Sequence, residues 1–337
     1  MDLTLRRVEL AFETPLQTAY GELRSRELFE VTLTDEEGVE GRGEAAPLEP
    51  YDGVSLKRTL DALMAHQRAL AGRPPEGATL LDACRAADDL PQALAAIDMA
   101  LWDLAGRRAG RPVCELLSSS PAASIPVNAS IATTEPGAAA RAAAGAAKDG
   151  YTCVKLKVGV GDDEARVAAV RSAIGAQTAL RLDANGAWSV DQAVSVLGVL
   201  AGHALELVEE PVQGLDATRE LRERVPVRIA IDETAAQAGA LTARVADAVC
   251  LKISRCGGIG GLLAAASLVR SSGAEIYLSS TYDGPLGIAA AVHAAAALAP
   301  LPPCGLATLD LFAQAAPTAL AIARGAISVP SGAGLGV

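Results

Sequence analysis

Five charged sites recur through the second half of this sequence, each closing a short apolar run: Lys155 and Lys157 in CVKLKVG, Asp183 in ALRLDANGAW, Glu209 in LELVEEP, Asp232 in RIAIDET and Lys252 in AVCLKIS. Successive sites stand roughly 20 to 26 residues apart, about what one strand, one helix and two turns occupy in a βα repeat. Strands of a parallel barrel end at a common rim, so this spacing predicts that all of them project into one bowl. Three carboxylates gathered there repel one another unless positive charge lies between them, and a divalent cation supplies it. Asp183, Glu209 and Asp232 are therefore the candidate metal ligands. Only oxygen donors are offered, without histidine or thiolate in the motifs, which favours Mg²⁺, with Mn²⁺ second, over zinc. In the pair Glu209-Glu210 strand alternation turns one side chain inward and the next outward, so only one of them is expected to bind metal.

Lys155 and Lys157 are two apart on a strand and share one face. Neighbouring ammonium groups disfavour each other's charge, so one of the pair is expected to have a lowered pKa and to serve as a base near neutral pH. Lys252 ends a strand across the barrel and places a cation on the other side of a bound substrate. The run CGGIGG at 256–261 fails the dinucleotide fingerprint because Leu263 stands where its last glycine belongs. A short loop, or a phosphate or carboxylate site at a helix N-terminus, is expected there instead.

These side chains need a frame, and the pattern changes once along the chain. Residues 3–12 and 27–34 alternate with period two, and a third strand is expected near Val39 to Glu44. Residues 54–71 and 91–108 carry helical periodicity, with Leu60, Leu63 and Met64 on one face and Leu94, Ile97, Leu101, Trp102 and Leu104 on another. This reads as an α+β domain over 1–120. From Ile125, short apolar strands alternate with alanine-rich helices, the sign of successive βα units over 121–315. Strands are expected at 125–130, 153–158, 179–183, 205–209, 228–232, 248–253, 275–280 and 304–309. The tail over 316–337 no longer alternates and is expected to pack back on the first domain.

At 337 residues with 50% hydrophobic content the chain can bury a large core, yet its apolar stretches are interrupted before they reach the roughly 20 residues of a membrane span. The N-terminus lacks the apolar stretch of a secretory signal, and a soluble, cytoplasmic protein is expected. A net charge of −11 without a basic stripe argues against nucleic acid as a partner. The cysteines Cys84, Cys114, Cys153, Cys250, Cys256 and Cys304 show no metal-ligand spacing and read as reduced, mostly buried thiols. His66, His203 and His293 lie far apart in helical sequence and read as ordinary helix positions.

The motifs KLK, DAN, EEP, DET and LKIS together resemble the enolase superfamily, in particular its muconate lactonizing subgroup, and GRGEAAPLEPYDG and DMALWDLAGRRAGRPV extend the resemblance over nearly the whole length. It implies an α/β fold, a modified TIM barrel (β/α)7β beneath an N-terminal α+β capping domain. It further implies removal of a proton α to a carboxylate through a metal-stabilised enediolate. Lys157 is then the main base, Lys155 its modulator, Lys252 the opposing lysine, and Asn185 a support behind the metal ligands. TPLQTAYGELRSRE, GEAAPL, SSTYDGPLG and GLATLDLF are similar to o-succinylbenzoate synthases of menaquinone biosynthesis, which points first to syn-dehydration of 2-succinyl-6-hydroxy-2,4-cyclohexadiene-1-carboxylate. The alternative is an N-acylamino acid racemase or dipeptide epimerase. Dipeptide epimerases carry a DxD pair near the last strand, whereas this chain reads Thr308-Leu309-Asp310, without the first acid. A noncatalytic binding protein on the same fold is a remote third reading. Thr18, Tyr20, Tyr51, Ser279, Ser280 and Thr281 are the expected contacts to a small-molecule carboxylate; a homo-oligomer is compatible with all of this.

Overall fold

The computed structural model describes residues 1–18, 21–72 and 77–337. Tyr20 lies outside the described residues. Strands β1 (Asp2–Thr18), β2 (Gly21–Thr34) and β3 (Glu40–Ala45) form an antiparallel sheet in chain order. Alternation along β2 buries Phe29, Val31 and Leu33, which pack with Leu3 against the helices Leu56–Leu70 and Pro91–Ala109. Both β1 and β2 run beyond their predicted ends as a two-stranded arm, with a register shift between Ala11 and Leu16. Pro15 falls in that stretch and has no N–H to give the ladder, which accounts for the irregularity. Met64 departs from the expected apolar face and is 43% exposed, because the sheet and its neighbouring helices cover Leu63 and stop short of it. The Pro91–Ala109 helix lies so close to the sheet that a Cβ on Gly43 would collide with the carbonyl oxygen of Ala96.

The second part is a curled parallel sheet of seven strands: β5 (Ala129–Ile131), β6 (Cys153–Lys157), β7 (Ala179–Asp183), β8 (Leu207–Glu209), β9 (Ile229–Ile231), β10 (Ala248–Leu251) and β11 (Glu275–Leu278). Helices Pro136–Lys148, Asp163–Ile174, Val190–Leu200, Leu215–Arg224, Ile259–Ser272 and Pro285–Leu298 cover its outside. Between β9 and β10 the crossover holds only the 3₁₀ turns Glu233–Ala236 and Ala240–Thr242. The architecture is a modified TIM barrel beneath a small α+β domain, as the sequence implied. The strand expected at 304–309 is reduced to bridges, Cys304 to Val127 and Gly305 to Ser279, which close the curl. Pro302 and Pro303 lead into it without amide protons, so no longer ladder can form. The strand expected at 125–130 divides as well: β4 (Ser124–Pro126) leaves the barrel to pair with the C-terminal strands β12 (Ile322–Ala323) and β13 (Ala326–Ser328).

Register decides which residues share the rim. Lys157 stands opposite Asp183 in the β6–β7 pair, and Asp183 opposite Glu209 in the β7–β8 pair. Three of the predicted side chains are thereby laid side by side by backbone hydrogen bonds alone.

Buried carboxyl groups of the first part clasp the second. Glu44, at the end of β3, accepts hydrogen bonds from the amides of Gly284 (2.6 Å) and Gly287 (3.4 Å) at the start of the Pro285–Leu298 helix. Asp103 accepts from the amides of Arg42 (2.8 Å) and Leu335 (2.6 Å), tying the C-terminal tail to the Pro91–Ala109 helix. The CGGIGG turn does open a helix, and the anion at its N-terminus is internal: Asp98 accepts from the Gly260 amide at 3.0 Å. Gly258 has φ +101°, and a Cβ there would lie 2.5 Å from the Asp98 Oδ2. No helix among the described residues is long and apolar enough to cross a membrane.

Candidate active site

At the rim the Lys155 ammonium sits between two acids, 2.6 Å from Glu209 Oε1 and 3.1 Å from Asp183 Oδ2. Lys157, one pleat further on, donates to Asn185 Oδ1 at 2.7 Å and lies 3.7 Å from Asp183. Asn185 takes a left-handed φ of 44° and gives its amide Nδ2 to Glu233 at 3.1 Å, which fixes which of its ends meets the lysine. Across the barrel Lys252 is paired with Asp232 and donates to the Tyr51 hydroxyl at 2.7 Å. That hydroxyl donates in turn to Asp232 Oδ1 (2.8 Å) and accepts from Arg255 (2.6 Å).

Glu209 is 0% exposed and forms the floor. Its second oxygen accepts from the Tyr277 hydroxyl at 2.5 Å. Glu210 has turned away, at φ 40°, to accept from the amides of Asp232 (2.6 Å) and Thr234 (3.0 Å). The double acid therefore divides as alternation predicts: Glu209 faces the site and Glu210 braces the strand that carries Asp232. Oxygens of Glu209 and Asp232 and the sulfur of Cys250 lie within 4.8 Å of one another, and Asp183 joins them through Lys155. The proximity of Cys250 was not legible in its spacing, although its burial was; none of the six cysteines forms a disulfide.

The charges answer to burial and to their neighbours. Burial opposes the Lys155 charge, but Asp183 and then Glu209 outweigh it and raise its pKa above the ordinary lysine value. The lowering that a neighbouring ammonium would cause is therefore not found at Lys155, where two carboxylates dominate. Burial likewise raises the Asp183 carboxyl, but Lys155 and Lys157 pull it down further, to about 2. Glu209 is pushed up by burial, and Asp183 and Asp232 add to that, while its contact with the Lys155 ammonium opposes the rise. Burial and then Glu233 push Glu210 up to about 8. Burial lowers Lys252, and Asp232 more than reverses it, holding it well above the ordinary value.

A cavity of about 490 Å³ opens over these groups. Lys155, Lys157, Asp183, Asn185, Asp232 and Lys252 line its base, and Thr18, Tyr51, Ser279, Ser280 and Thr281 line its walls. Every described residue singled out from the sequence thus reaches one cavity, except Glu209, which lies beneath it. Thr308 also lines the cavity and is hydrogen-bonded to Ser280 at 2.9 Å, while Asp310 is exposed and is not among the lining residues. Sequence reasoning missed Tyr277, Arg255 and Glu233. Tyr277 had a signal, since it lies two residues before Ser279 on one strand face. Arg255 had none, because it follows the strand in a single helical turn (Ile253–Cys256) where alternation has ended.

Both parts of the chain match one superfamily. Residues 1–118 match the family "Mandelate racemase / muconate lactonizing enzyme, N-terminal domain", and residues 138–337 match "Enolase C-terminal domain-like". The chain belongs to the enolase superfamily. It is 31% identical to a hydrophobic dipeptide epimerase of Enterococcus faecalis over 304 residues, covering 87% of this chain and 86% of that protein. The crystal structure of the dipeptide epimerase from that organism, complexed with Mg and L-Leu-L-Tyr, superposes with a TM-score of 0.91 at 28% identity, covering 99% and 98% of the two chains. The N-succinyl Arg/Lys racemase structure of Bacillus cereus gives a TM-score of 0.93 at 25% identity, over 100% of this chain and 95% of that one. An o-succinylbenzoate synthase of Thermobifida fusca is 41% identical over 198 residues, which span 56% of this chain and 61% of that protein.

Proposed function

We propose that this chain removes and returns the proton α to the carboxylate of an N-acylated amino acid, inverting its configuration. The observation that carries the reading is the placement of two lysines. Lys157 ends β6 and Lys252 follows β10, with three strands between them in the sheet, and both line the same cavity. A substrate held between them presents opposite faces of its α carbon to the two amines. Lys157 takes the proton from one face and Lys252 delivers one to the other, and the reverse reaction exchanges their roles. A positioned base of this kind contributes about 10² to 10⁴ in rate, or roughly 3 to 5 kcal/mol.

Asp183, Glu209 and Asp232 would hold a divalent cation, Mg²⁺ by the hardness of the donors. The residues fit it: the three acids converge behind the cavity, and the ammonium groups of Lys155 and Lys252 rest where positive charge is demanded. Bound there, the ion supplies Lewis-acid stabilisation of the second charge that develops on the substrate carboxylate. The buried hydroxyl of Tyr277 and the amide-braced Glu210 keep Glu209 and Asp232 aimed at it. Asn185 holds the Lys157 amine in place.

The walls of the cavity bear on substrate class. They carry the hydroxyls of Thr18, Ser279, Ser280, Thr281 and Thr308 beside apolar Leu16, Leu23 and Leu311. With Asp310 outside, no carboxylate among the described residues of those walls meets a free ammonium, which supports a neutral acyl amide over a dipeptide with a free N-terminus. The same feature supports a second reading, the syn-dehydration to o-succinylbenzoate, for which Lys157 would return its proton to the leaving hydroxyl; the 41% identity over 198 residues favours it.

One experiment separates them. N-Acetyl-L-methionine with the protein and Mg²⁺ in deuterated solvent is followed by NMR and polarimetry, beside an ultraviolet assay of 2-succinyl-6-hydroxy-2,4-cyclohexadiene-1-carboxylate. Solvent deuterium at the α carbon with growth of the D isomer upholds the racemase. Aromatisation without inversion transfers the assignment to the dehydratase, and neither reaction by folded, metal-binding protein overturns both.

A further inference from the structure

Arg26 lies on β2 opposite Leu10, at the root of the two-stranded arm, and is 3% exposed. An arginine buried this deeply is ordinarily paired with a carboxylate. Among the described residues, its hydrogen bonds go to backbone carbonyls instead, from two segments far apart in the chain. Nη1 donates to Pro47 O at 2.8 Å and Nη2 to Ala46 O at 3.3 Å, while Nε is shared between Thr281 O (3.2 Å) and Tyr282 O (3.3 Å). Burial lowers the pKa of Arg26, and Asp283, then Glu44 and Asp52, oppose that through space.

These carbonyls depend on the guanidinium. Ala46, Pro47, Thr281 and Tyr282 lie outside helices and strands, and among the described residues none of their oxygens accepts from a backbone amide. Buried carbonyls need a partner, and Arg26 supplies one to all four. Both segments run into the reaction cavity. Ala46 and Pro47 lead to Leu48 and Tyr51, which line it, and Thr281 and Tyr282 line it themselves. The arm that carries Arg26 contributes Leu23. Three walls therefore meet at one guanidinium, which is not itself among the lining residues.

We infer that Arg26 is a positioning residue for the reaction cavity, fixing the arm, the Tyr51 segment and the Ser279–Tyr282 segment relative to one another without touching substrate. Its influence falls first on how a ligand is gripped. Lys157, Asp183 and Glu209 are laid side by side by their own ladder, whichever way the walls stand.

The test takes the full-length protein with Arg26→Lys, which keeps the charge and the buried stem, so that the variant folds. One ammonium cannot serve both pairs of carbonyls as a planar fork does, and at least one segment is released. Hydrogen exchange read by mass spectrometry without substrate reports this whatever reaction the enzyme catalyses. Amides over 46–52 or 279–284 should exchange about tenfold faster, for the loss of one hydrogen bond to a charged group, while those over 153–157 and 179–183 keep the parent rate. In Arg26→Met, which removes the fork, both segments should be released together. The kinetic half rests on the α-proton chemistry proposed above. With N-acetyl-L-methionine or 2-succinyl-6-hydroxy-2,4-cyclohexadiene-1-carboxylate, whichever is converted, Arg26→Lys should raise KM about tenfold with a smaller fall in kcat. Parent exchange rates at both segments in both variants would overturn the inference, by showing that other contacts hold the walls. Faster exchange spread evenly over the barrel strands, or a fall in kcat larger than the rise in KM, would overturn it as well. If neither substrate is converted, the proposed reaction fails separately and the exchange rates alone decide the role of Arg26.

Discussion

At the residue scale, the site is a balance of buried charge in which every ammonium has a carboxylate. Lys155 is the keystone, with Asp183 and Glu209 both within salt-bridge reach. Removing one partner of such a buried set leaves charge uncompensated, at a cost of about 3–5 kcal/mol. Lys155→Met is therefore expected to lower the melting temperature strongly in the presence of chelator. Added Mg²⁺ should restore much of the loss by neutralising the same acids, which calorimetry with and without the ion would show. The two lysines of the proposed reaction give a sharper expectation. If they serve opposite faces, Lys157→Ala should abolish exchange of the α proton of one enantiomer, and Lys252→Ala that of the other, each by about 10² to 10⁴. Loss of exchange for both enantiomers in both variants would contradict the two-face assignment.

At the scale of elements, strand ends place chemistry and helix starts hold the halves together. The in-register neighbours Lys157, Asp183 and Glu209 need nothing beyond the parallel ladder to meet. The Ile259–Ser272 helix depends on its glycine turn, since Gly258 at φ +101° leaves room for the Asp98 carboxylate. Gly258→Ala combines left-handed strain with that collision and is expected to cost about 1–3 kcal/mol. Urea unfolding would register it as a lower midpoint at unchanged slope. Burial pushes the Asp98 carboxyl up to about 6 despite the hydrogen bonds it accepts, a measure of how deeply this cap is seated.

For the whole molecule, the seam between capping domain and barrel is sensitive to pH. Burial, and then Asp283, push the Glu44 carboxyl from an ordinary 4.5 up to about 8. Between those values the folded chain keeps a proton that the unfolded chain has released, so stability present below about pH 4.5 is lost as the pH rises toward about 8. Glu44→Gln keeps an acceptor for the Gly284 and Gly287 amides and removes the titration. Its melting temperature should fall less than that of the parent chain between pH 5 and about 8; parallel curves would assign the pH dependence elsewhere. Metal binding acts on the molecule as a whole as well. At about 100 times its dissociation constant Mg²⁺ should add about 2.7 kcal/mol to stability, lost on chelation, and that gain should vanish in Asp183→Asn.

The sequence by itself determined the barrel's rhythm and which acids and lysines share a rim, because each of them closes a strand and strand length, alternation and helix spacing are local properties. Even so, it mistook the start and the close of the barrel, where Pro302 and Pro303 suppress a ladder that the apolar pattern alone predicts. The tertiary structure decided everything that joins distant positions. Tyr51 meets Asp232 across 181 residues and Arg255 across 204, and Asp98 reaches Gly260 across 162. Such contacts leave no periodic trace, since each partner obeys only its own element, and they come into being when the capping domain is laid over the barrel.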